Sequence, residues 1–457
     1  MRAVDAAAQA TVDLDVLVER AGTAVAVHAL DLLGGAYGRR VVVLAGRGNN
    51  GADGRVAAEL LARRGARVTV VEAGTVEELP PADLVIDAAY GTGFRGAYRA
   101  PTVAAGTLVL AVDIPSGVDG DTGQASDRVL AADRTVTFAA AKPGLVQGDG
   151  ARLAGRVVVV DIGLPTGWPA AHLVEDADTA GWLAPRRPDD HKWTSALLVV
   201  AGSPGMTGAA GLCAHAAARA GAGMVRLGVP GAGLDRLPAS EAVGVELPAT
   251  GWADAALEAA GRCRAMVVGP GLGRHPDTAV QVRRLVTGTD LPLVIDADGL
   301  FALGRLDPET PLRQQPTLVL TPHDGEYQGL LGDHPGDDRL AAARRLATAA
   351  GGIGLVKGST TVVAGPDGRV LVSTAGSSRL ATAGTGDVLS GIIGAFLARG
   401  VPPIEAAALA AHVHGRAAAR GRSEGLVAGD LPDLVADVLS AARPGHDHHP
   451  AGGDDRG

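Results

Sequence analysis

Residues 381–398 read ATAGTGDVLSGIIGAFLA, a turn of small residues that leads into a strongly apolar helical run. Gly384 and Gly386 flank Thr385 where this helix begins, which leaves the backbone N–H groups of the turn unshielded. Free amides and the positive end of the helix dipole favour an anion, so we expect a phosphate to bind here. Asp387 follows at once and is a candidate general base for a group that attacks this phosphate. The alternative is that Asp387 only caps the helix.

The composition is that of a globular protein with small-molecule ligands. Hydrophobic residues make up 47% and charged residues 20% of the 457 residues, a length that predicts two domains. No apolar run approaches the roughly 20 residues of a membrane helix, and we expect neither a membrane partner nor a secretion signal. A net charge of −9 with 3% aromatic residues argues against nucleic acid. Cys213 and Cys263 lack metal-type spacing and predict a reducing compartment, the cytoplasm.

The first half of the chain alternates strand and helix patterns. RVVVLAG at 40–46 is a β-branched run that ends in glycine, and a loop then leads into a helical segment that reaches about Arg64. Residues 5–33 also have helical spacing. Further buried-type strands recur at 67–72, 84–88, 107–113, 134–139 and 156–162. This order predicts an α/β domain with a largely parallel, doubly wound sheet.

Three polar loops follow predicted strands in this half. They read GRGNNGADG at 46–54, IDAAYGTGFRG at 86–96 and VDIPSGVDGDTG at 112–123. The carboxyl ends of adjacent parallel strands face one crevice, so we expect the loops to converge on a ligand. Oxygen atoms of Asn50, Asp87 and Ser116 in these loops would suit a hard cation. Taken singly, each loop could be only a turn or a cap.

Together with TFAAAKPG at 137–144, these loops resemble the motifs of the NAD(P)HX epimerase family over residues 1–165. The resemblance implies a Rossmann-like fold, a bound potassium ion, and interconversion of the R and S forms of hydrated NADH or NADPH, termed NADHX and NADPHX. It implies that Asp113 contacts the nicotinamide end, where it is the candidate catalytic group, and that potassium is bound by Asn50, Asp87 and Ser116. The dinucleotide would be lined by Asn49, Asn50, Gly51, Ala52, Asp53, Gly91, Thr92, Gly93, Phe94, Arg95, Gly96, Ala97 and Asp113.

Two positions depart from the pattern of that family. The usual double glycine after the asparagines is Gly51–Ala52 here, which is a small steric change. Arg20 stands in the first helix where the family has asparagine. Arg20 leaves open a first half that binds the dinucleotide without catalysing epimerisation.

The second half repeats the alternation of strands and helices in a larger domain. Its strands begin with SALLVVA at 195–201, and the later ones predict an antiparallel hairpin around Pro366–Gly368. Polar segments recur at predicted strand ends, where a doubly wound sheet binds its ligands. These segments are GPGLG at 269–273, DADG at 296–299, TPHDGE at 321–326 and KGST at 357–360.

Each polar residue of these segments has an ordinary structural interpretation beside the functional one. Lys357 suits a nucleotide phosphate but could be a surface charge. His323 suits a substrate contact but could cap a helix. Asp296 and Asp298 could bind a magnesium–phosphate pair through water, or could form a turn.

As an ordered set, GS…TGAA, GPGLG, DADGL, TPHDGE, KGSTTVV and the stretch at 381–398 resemble the ADP-dependent NAD(P)HX dehydratase family of the ribokinase-like superfamily. The resemblance covers about residues 185–440. It implies Mg²⁺ bound together with ADP. It implies contacts to NAD(P)HX from Ala209, Gly273, His323 and Asp387. It implies contacts to ADP or AMP from Lys357, Gly358, Ser359, Thr360, Thr361 and Gly386.

We expect an epimerase domain at 1–170, a linker at 171–190, a dehydratase domain at 191–443 and a disordered tail at 444–457. The linker is predicted because the chain loses its periodicity after Gly163 and accumulates prolines. A homo-oligomer is also expected.

These observations predict a bifunctional enzyme that joins an isomerase to a lyase. Asp387 would take the proton of the C6 hydroxyl of the S form as that hydroxyl attacks the terminal phosphate of ADP. Loss of phosphate would then give NADH or NADPH together with AMP. The GTGD turn is shared across the superfamily, so a small-molecule kinase is an alternative, which a phosphorylated product would distinguish. A non-catalytic, dinucleotide-binding first half is the other alternative.

Overall fold

The computed structural model describes residues 12–164, 171–238, 240–307, 309–310, 312 and 317–442. The chain divides into two compact units, Met1–Pro169 and Ala170–Gly457. Each is α/β, as predicted, with a six-stranded sheet in the first unit and a ten-stranded sheet in the second. Within the described residues no helix is both long and apolar enough to span a bilayer. The predicted tail at 444–457 lies outside the described residues.

The first unit is built on a wholly parallel sheet in the order β2-β1-β3-β4-β5-β6. Its elements are α1 (Leu14–Leu33), β1 (Arg40–Ala45), α2 (Asn49–Arg63), β2 (Arg67–Glu72), β3 (Leu84–Ala88), β4 (Leu108–Val112), β5 (Arg134–Phe138), α3 (Gly148–Leu153) and β6 (Arg156–Val160). The chain runs outward from β1 to β2 and then returns to β3 on its other side. Such a reversal of strand order opens a crevice at the carboxyl ends of the strands.

Strand β1 is buried on both faces of this sheet. Val41 and Val43 belong to the core that includes residues of α1 and α2, whereas Val42 and Leu44 belong to a separate core on the other face. Successive side chains of a strand point to opposite faces, so a strand covered on both sides reads as a continuous apolar run. This explains why RVVVLAG marks the centre of the unit.

The second unit is built on a sheet in the order β10-β9-β8-β11-β12-β13-β14-β15-β16-β7. Its strands are β7 (Ala171–Leu173), β8 (Ala196–Val200), β9 (Met224–Gly228), β10 (Val243–Val245), β11 (Ala265–Val268), β12 (Leu293–Ile295), β13 (Leu318–Leu320), β14 (Ile353–Val356), β15 (Thr361–Ala364) and β16 (Val370–Ser373). Its helices are α4 (Asp176–Trp182), α5 (Thr207–Arg219), α6 (Ala253–Ala260), α7 (Pro276–Gly288), α8 (Asp298–Leu303), α9 (Asp324–Leu331), α10 (Arg339–Ala350), α11 (Thr385–Ala398), α12 (Pro403–Arg420) and α13 (Leu431–Ala441). All strand pairs are parallel except β14–β15 and β15–β16. The predicted antiparallel hairpin is therefore confirmed.

The segment 171–190, which we expected to be a linker, contributes to the second unit instead. Strand β7 pairs in parallel with β16 at the edge of the sheet. Helix α4 is tied to α12 because Asp176 accepts hydrogen bonds from His412 and Arg416, at 2.9 and 2.6 Å. The sequence pattern misses this because a three-residue edge strand has no period to detect, and its pairing partner lies about 200 residues later in the chain.

Helix α11 is apolar around its whole circumference and is buried at almost every position. Val388, Ile392, Ile393 and Phe396 are fully buried, and the helix packs on β8, β11 and β12. A helix that is apolar all round belongs in a core. Its first turn, which holds Asp387, is thereby fixed at the carboxyl ends of these strands.

Candidate active sites

A cavity of about 1010 Å³ opens at the carboxyl ends of the strands in the first unit. Its wall includes eight of the residues expected to line a dinucleotide, namely Asn49, Asn50, Asp53, Gly91, Thr92, Gly93, Phe94 and Asp113. The wall does not include Gly51, Ala52, Arg95, Gly96 or Ala97. The three polar loops therefore converge on one space, as expected, although only part of each loop faces it.

Asp113 forms a close ion pair with a buried lysine. Its backbone φ is 67°, and its carboxylate lies 2.5 Å from Nζ of Lys142 and accepts a hydrogen bond of 3.1 Å from Thr137. The Lys142 side chain is only 3% exposed and also donates to the carbonyl oxygen of Phe138, at 2.9 Å. The ion pair fixes the position of the Asp113 carboxylate at the cavity wall. Lys142 belongs to the TFAAAKPG motif, but no sequence pattern indicated a role for it.

A second carboxyl group, that of Asp53, lines the same cavity with a different environment. Asp53 is 7% exposed, and burial raises its pKa to about 8, with a further contribution from the negative charge of Asp113. Asp53 is therefore largely protonated at neutral pH and can donate a proton. Asp53 and Asp113 thus place two carboxyl groups on the wall of one cavity.

Of the three residues expected to bind potassium, Asp87 and Ser116 form a connected buried pair, and Asn50 lies beside the neighbouring Gly91. Asp87 is fully buried and accepts hydrogen bonds from the backbone N–H and hydroxyl of Ser116, at 2.9 and 2.6 Å. The Ser116 hydroxyl also accepts from the N–H of Tyr90. Gly91 follows Tyr90, and a Cβ on Gly91 would lie 3.5 Å from Oδ1 of Asn50. The Nδ2 atom of Asn50 is buried and has no hydrogen-bond partner among the described residues.

This group has the chemistry of a site for a weakly charged hard cation. Burial raises the pKa of Asp87, and the groups that oppose this shift are hydrogen-bond donors of Ser116 and Ala89, not cations. A cation would compensate the buried carboxylate, and amide, hydroxyl and carboxylate oxygens are its usual ligands. In the described part of the chain no three His, Cys, Asp or Glu side chains cluster as they do around a transition metal.

Arg20, the departure from the epimerase pattern, is engaged at the end of β6. Its guanidinium donates a hydrogen bond of 2.9 Å to the carbonyl oxygen of Ile162. Arg20 is not part of the cavity wall, although its neighbour Ala21 is. The contact explains Arg20 as a structural residue and does not obstruct the site.

In the second unit, Asp387 does not cap its helix. The N-terminal cap of α11 is Gly384, at a φ of 91°, and no side chain caps the helix. Burial raises the pKa of Asp387 to about 7, the negative charge of Asp296 adds to this shift, and the positive charge of Lys357 opposes it. A carboxyl group with a pKa near neutrality is matched to the work of a general base.

Asp296 connects the functional residues of this second site. It is 1% exposed, lies 2.5 Å from Nζ of Lys357, and accepts a hydrogen bond of 2.7 Å from the Ser390 hydroxyl. A Cβ on Gly386 would be 3.4 Å from Nζ of Lys357 and 3.7 Å from Oδ2 of Asp296. Lys357, Gly386 and Asp387 are thus brought together around one buried carboxylate, and Lys357 is not a simple surface charge.

The loop that contains Gly273 meets the beginning of α5. A Cβ on Gly271 would lie 3.0 Å from the Cβ of Ala209, so these two segments are in contact. Asp298 accepts a hydrogen bond of 2.9 Å from the N–H of Gly273 and forms an ion pair with Arg274. Ala209 and Gly273, both expected to contact NAD(P)HX, therefore belong to one surface.

His323 caps helix α9. Its Nδ1 accepts hydrogen bonds from the N–H groups of Gly325 and Glu326, at 3.0 and 3.3 Å, and its side chain is 61% exposed. The structural interpretation of this histidine is thus realised. The backbone before His323 adjoins Lys357, because the N–H of Lys357 donates a hydrogen bond of 2.9 Å to the carbonyl oxygen of Pro322.

The KGST loop, which holds Gly358, Ser359, Thr360 and Thr361, is supported by α10 and by the segment after β16. Arg339 donates to the carbonyl oxygen of Lys357 at 2.5 Å, and a Cβ on Gly376 would lie 2.5 Å from the Ser359 carbonyl oxygen. The Thr361 hydroxyl donates back to the Gly358 carbonyl oxygen, at 3.3 Å. The loop is therefore held as a compact turn beside Lys357.

Comparison with known families agrees with this division into two sites. Residues 197–440 match the family model described as NAD(P)H-hydrate dehydratase, and residues 14–80 and 71–144 match the one described as YjeF-related protein N-terminus. The chain is 37% identical to the bifunctional NAD(P)H-hydrate repair enzyme of Moorella thermoacetica, over 93% of this chain and 92% of that protein. The enzyme of the same name from Mycobacterium tuberculosis is 42% identical over 82% of both chains.

The chain belongs to the bifunctional NAD(P)H-hydrate repair enzyme family. Both parts of that family, the epimerase and the dehydratase, are present in it, and a small-molecule kinase is not favoured. A ribokinase-like superfamily protein from Enterococcus faecalis V583 aligns with a TM-score of 0.54 and 22% identity, covering 61% of this chain and 98% of its own. That likeness confirms the ribokinase-like fold expected for the second half.

Three residues of these repair-enzyme sites escaped the sequence analysis. Lys142 and Ser390 received no role, although Lys142 follows a strand end and Ser390 lies one helical turn after Asp387. His414 on α12 is 5% exposed, and its Nε2 has no partner in the part of the chain that the structure describes. Burial lowers the pKa of His414 to about 4, and the positive charge of Lys357 contributes. No motif pointed to His414, because it lies inside an alanine-rich helix.

Proposed function

We propose that this protein repairs hydrated nicotinamide dinucleotides in two steps at two sites. The first unit interconverts the R and S forms of NADHX and NADPHX, and the second dehydrates the S form while ADP is converted to AMP and phosphate. Family membership supports the pair of activities. The surroundings of Asp387 support the chemistry of the second.

In the dehydratase step, Asp387 takes the proton of the C6 hydroxyl of the S form. The hydroxyl oxygen attacks the terminal phosphorus of ADP, and the bond from phosphorus to AMP breaks. The new phosphate ester leaves C6 as inorganic phosphate, and loss of a proton from the ring restores the double bond of NADH or NADPH. Lys357 and the amides that follow Gly384 stabilise the charge that develops on the phosphoryl oxygens.

Binding in this site divides between two groups of residues. Ala209, Gly273, His323 and Asp387 contact the hydrated dinucleotide. The adenine nucleotide is contacted by Lys357, Gly358, Ser359, Thr360, Thr361 and Gly386. The contact between the Ala209 and Gly273 loops, and the ion pair of Lys357 with Asp296, support this division.

In the epimerase step, the chemistry takes place at a carbon that bears both a hydroxyl and the ring nitrogen. Asp113 removes the hydroxyl proton, the bond from C6 to nitrogen opens, and the carbon becomes an aldehyde. Asp53, protonated at neutral pH, donates a proton to the ring nitrogen. The ring nitrogen then attacks either face of the aldehyde carbon and returns its proton to Asp53. The hydroxyl oxygen regains its proton from Asp113, so either epimer forms. Lys142 holds the Asp113 carboxylate in place.

The remaining expected residues bind rather than react. Asn49 to Asp53 and Gly91 to Ala97 border the dinucleotide, and Asn50, Asp87 and Ser116 hold a potassium ion. This ion would neutralise the buried Asp87 carboxylate and hold the loops in their positions.

Mg²⁺ would accompany ADP, with Asp296 and Asp298 reached through water, and would neutralise phosphate charge. A homo-oligomer in the cytoplasm is also part of the proposal.

The single observation that carries the dehydratase proposal is the position of Asp387, which is partly buried in the first turn of α11 and does not cap that helix. The test is the variant Asp387→Asn, incubated with both epimers, ADP and Mg²⁺, while the absorbance of reduced nicotinamide and the release of phosphate are followed. We expect both rates to fall by about 100-fold or more, because a general base contributes roughly this factor.

The matched control is Asp433→Asn, which changes a surface aspartate that pairs with Arg219. This variant should keep the wild-type rates, and both variants should keep the wild-type melting temperature. Undiminished turnover in Asp387→Asn would overturn the proposed role. Formation of a stable phosphorylated product without free phosphate would support a kinase instead.

A further inference from the structure

Glu72 lies at the end of the first-unit cavity that is farthest, in strand order, from Asp113. It is the last residue of β2, the edge strand of the sheet, and it lines the cavity together with Ala73 and Thr75. Asp113 follows β4 and lines the same cavity. Strands β1 and β3 lie between β2 and β4. The cavity therefore has two chemically different ends, and the repair reaction uses only one of them.

The middle of the cavity is suited to a pyrophosphate. Helix α2 begins here behind Gly48, and no side chain caps it. A Cβ on Gly48 would meet nothing within 4 Å, whereas a Cβ on Gly46 would lie within 1.9 Å of the carbonyl oxygen of Ala89. The turn therefore packs tightly against the protein at Gly46 and leaves open space on the cavity side at Gly48. Free amides at a helix start that face a cavity are the usual place for the pyrophosphate of a dinucleotide.

The length of the cavity matches a dinucleotide laid across the strand ends. Neighbouring strands are about 4.8 Å apart, so the three spacings from β2 to β4 amount to about 14 Å. A dinucleotide carries one nucleoside on each side of its pyrophosphate. When the hydrated nicotinamide reaches Asp113 and the pyrophosphate crosses the start of α2, the adenosine ribose falls at the end of β2.

The carboxylate of Glu72 is held ready to accept hydrogen bonds. Nη2 of Arg55 lies 2.5 Å from Oε1 of Glu72, and Nη1 of Arg55 donates to the carbonyl oxygen of Gly46 at 2.8 Å. Within the described residues Oε2 of Glu72 accepts no hydrogen bond, and the side chain is about half exposed. Arg55 itself is not part of the cavity wall. Its charge is therefore used to orient Glu72 rather than to receive a ligand.

A carboxylate at this position distinguishes the two substrates by their charge. It accepts hydrogen bonds from the 2′- and 3′-hydroxyls of a ribose, and it repels a 2′-phosphate. Arg47 also lines the cavity, but it stands in the turn before α2, beside the path of the pyrophosphate. The cation nearest to Glu72 is already paired with it.

We propose that Glu72, oriented by Arg55, binds the ribose hydroxyls of the adenosine half and makes the epimerase half select NADHX over NADPHX. This inference rests on the proposed epimerase function. It adds a specificity-determining residue and a preferred substrate to that function.

The test uses the full chain and the separated R forms of NADHX and NADPHX, without ADP, so that dehydration does not occur. Chromatography follows the appearance of the S form, and the spontaneous rate is subtracted. We expect the wild type to favour NADHX in kcat/KM by about tenfold or more, which corresponds to a hydrogen bond to a charged group. In Glu72→Gln the ratio of the two kcat/KM values should approach one, because kcat/KM should fall for NADHX and rise for NADPHX.

Two further variants separate the possible origins of a preference. Glu59→Gln changes an exposed glutamate on α2 that pairs with Arg63 outside the cavity wall, and it should keep the wild-type ratio. Arg55→Met should reduce the preference for NADHX without reversing it. A wild type that uses both substrates equally, or an Arg55→Met variant that loses only NADPHX turnover, would overturn the inference.

Binding provides a readout that does not depend on epimerisation. Calorimetry with NADH and with NADPH compares the wild type with Glu72→Gln, so that the contribution of the other unit cancels. Weaker NADH binding in the variant would support the inference even if the wild type epimerised neither substrate, a result that would refute the proposed function alone. Unchanged affinity for both dinucleotides would overturn the inference.

Discussion

Asp387 owes its chemical character to the residues packed around it. Burial and the negative charge of the neighbouring Asp296 carboxylate together raise its pKa to about 7, while the positive charge of Lys357 acts in the opposite direction. Asp296 is itself fixed by Lys357 and by Ser390, which lies one turn beyond Asp387 on the same helix. Asp387, Lys357 and the buried Asp296 carboxylate thus form one electrostatic unit.

The variant Asp296→Asn tests this unit through the pH dependence of dehydration. Asp387 acts as a base only when it is deprotonated, so kcat/KM of the wild type should rise with pH through about 7. Removing the charge of Asp296 takes away repulsion and releases Lys357, and both changes lower the pKa of Asp387. The rising limb of the profile should therefore move to lower pH. The measurement is kcat/KM for dehydration between pH 5 and pH 9.

A purely structural role for Asp296 would lower the rate at every pH and leave the midpoint of the profile in place. That outcome would contradict the electrostatic interpretation. Asp433→Asn again serves as the control, because its surface ion pair with Arg219 does not involve Asp387. Its profile should coincide with that of the wild type.

At the scale of elements, the position of Asp387 depends on the close packing of α11 against α5. Gly391 makes this packing possible, because a Cβ there would lie 2.2 Å from the backbone carbonyl oxygen of Cys213 and 3.1 Å from the Cβ of Ala216. Helix α5 also holds Ala209, which is expected to contact the substrate. The distance between these two helices therefore sets the distance between Asp387 and Ala209.

The variant Gly391→Ala should separate the two helices. The added methyl group meets backbone rather than a flexible side chain, so we expect a loss of about 1–3 kcal/mol in the free energy of unfolding. Dehydration should slow with it, because Asp387 moves relative to bound substrate. Denaturant unfolding and the rate of dehydration measure the two effects.

Gly329→Ala is the control for that prediction. Gly329 lies inside helix α9, and a Cβ there would meet nothing within 4 Å. This variant should be neutral or slightly more stable, since alanine favours a helix over glycine by about 1 kcal/mol. If both alanine variants behaved alike, close packing at Gly391 would not be the cause.

At the scale of the whole molecule, the two sites belong to units that each have their own sheet and core. The compound passed from the first reaction to the second is a small molecule that can diffuse. We therefore expect each unit to carry out its own reaction independently of the other.

Mixing two variants that each lack one of the two activities tests this independence. Asp387→Asn retains the epimerase site, and Asp113→Asn retains the dehydratase site. Both epimers are supplied together with ADP and Mg²⁺. Asp113→Asn alone should recover reduced dinucleotide only from the S form, until spontaneous epimerisation supplies more of it. Asp387→Asn alone should recover almost no reduced dinucleotide. The two proteins together should recover all of the reduced dinucleotide, as measured by its absorbance. Failure of the mixture, with each single activity intact, would show that the sites must share one chain.

The sequence by itself determined the local features of this protein. β1 is recognisable as a strand because its residues form a continuous β-branched apolar run, and Gly384 marks the start of α11 because a left-handed turn requires it. Such features depend on neighbouring residues only. The same locality let the ordered motifs indicate two α/β domains, the family and eight residues of the cavity wall.

Only the tertiary structure decided which distant residues meet. In the second unit Asp296 pairs with Lys357, 61 positions later in the chain. In the first unit Lys142 forms an ion pair with Asp113. Strand β7, in a segment that resembled a linker, joins the edge of a sheet formed much later in the chain. These contacts depend on the order of strands in each sheet, which strand patterns do not encode. Burial, and with it the pKa values near neutrality of Asp53 and Asp387, follows from that packing.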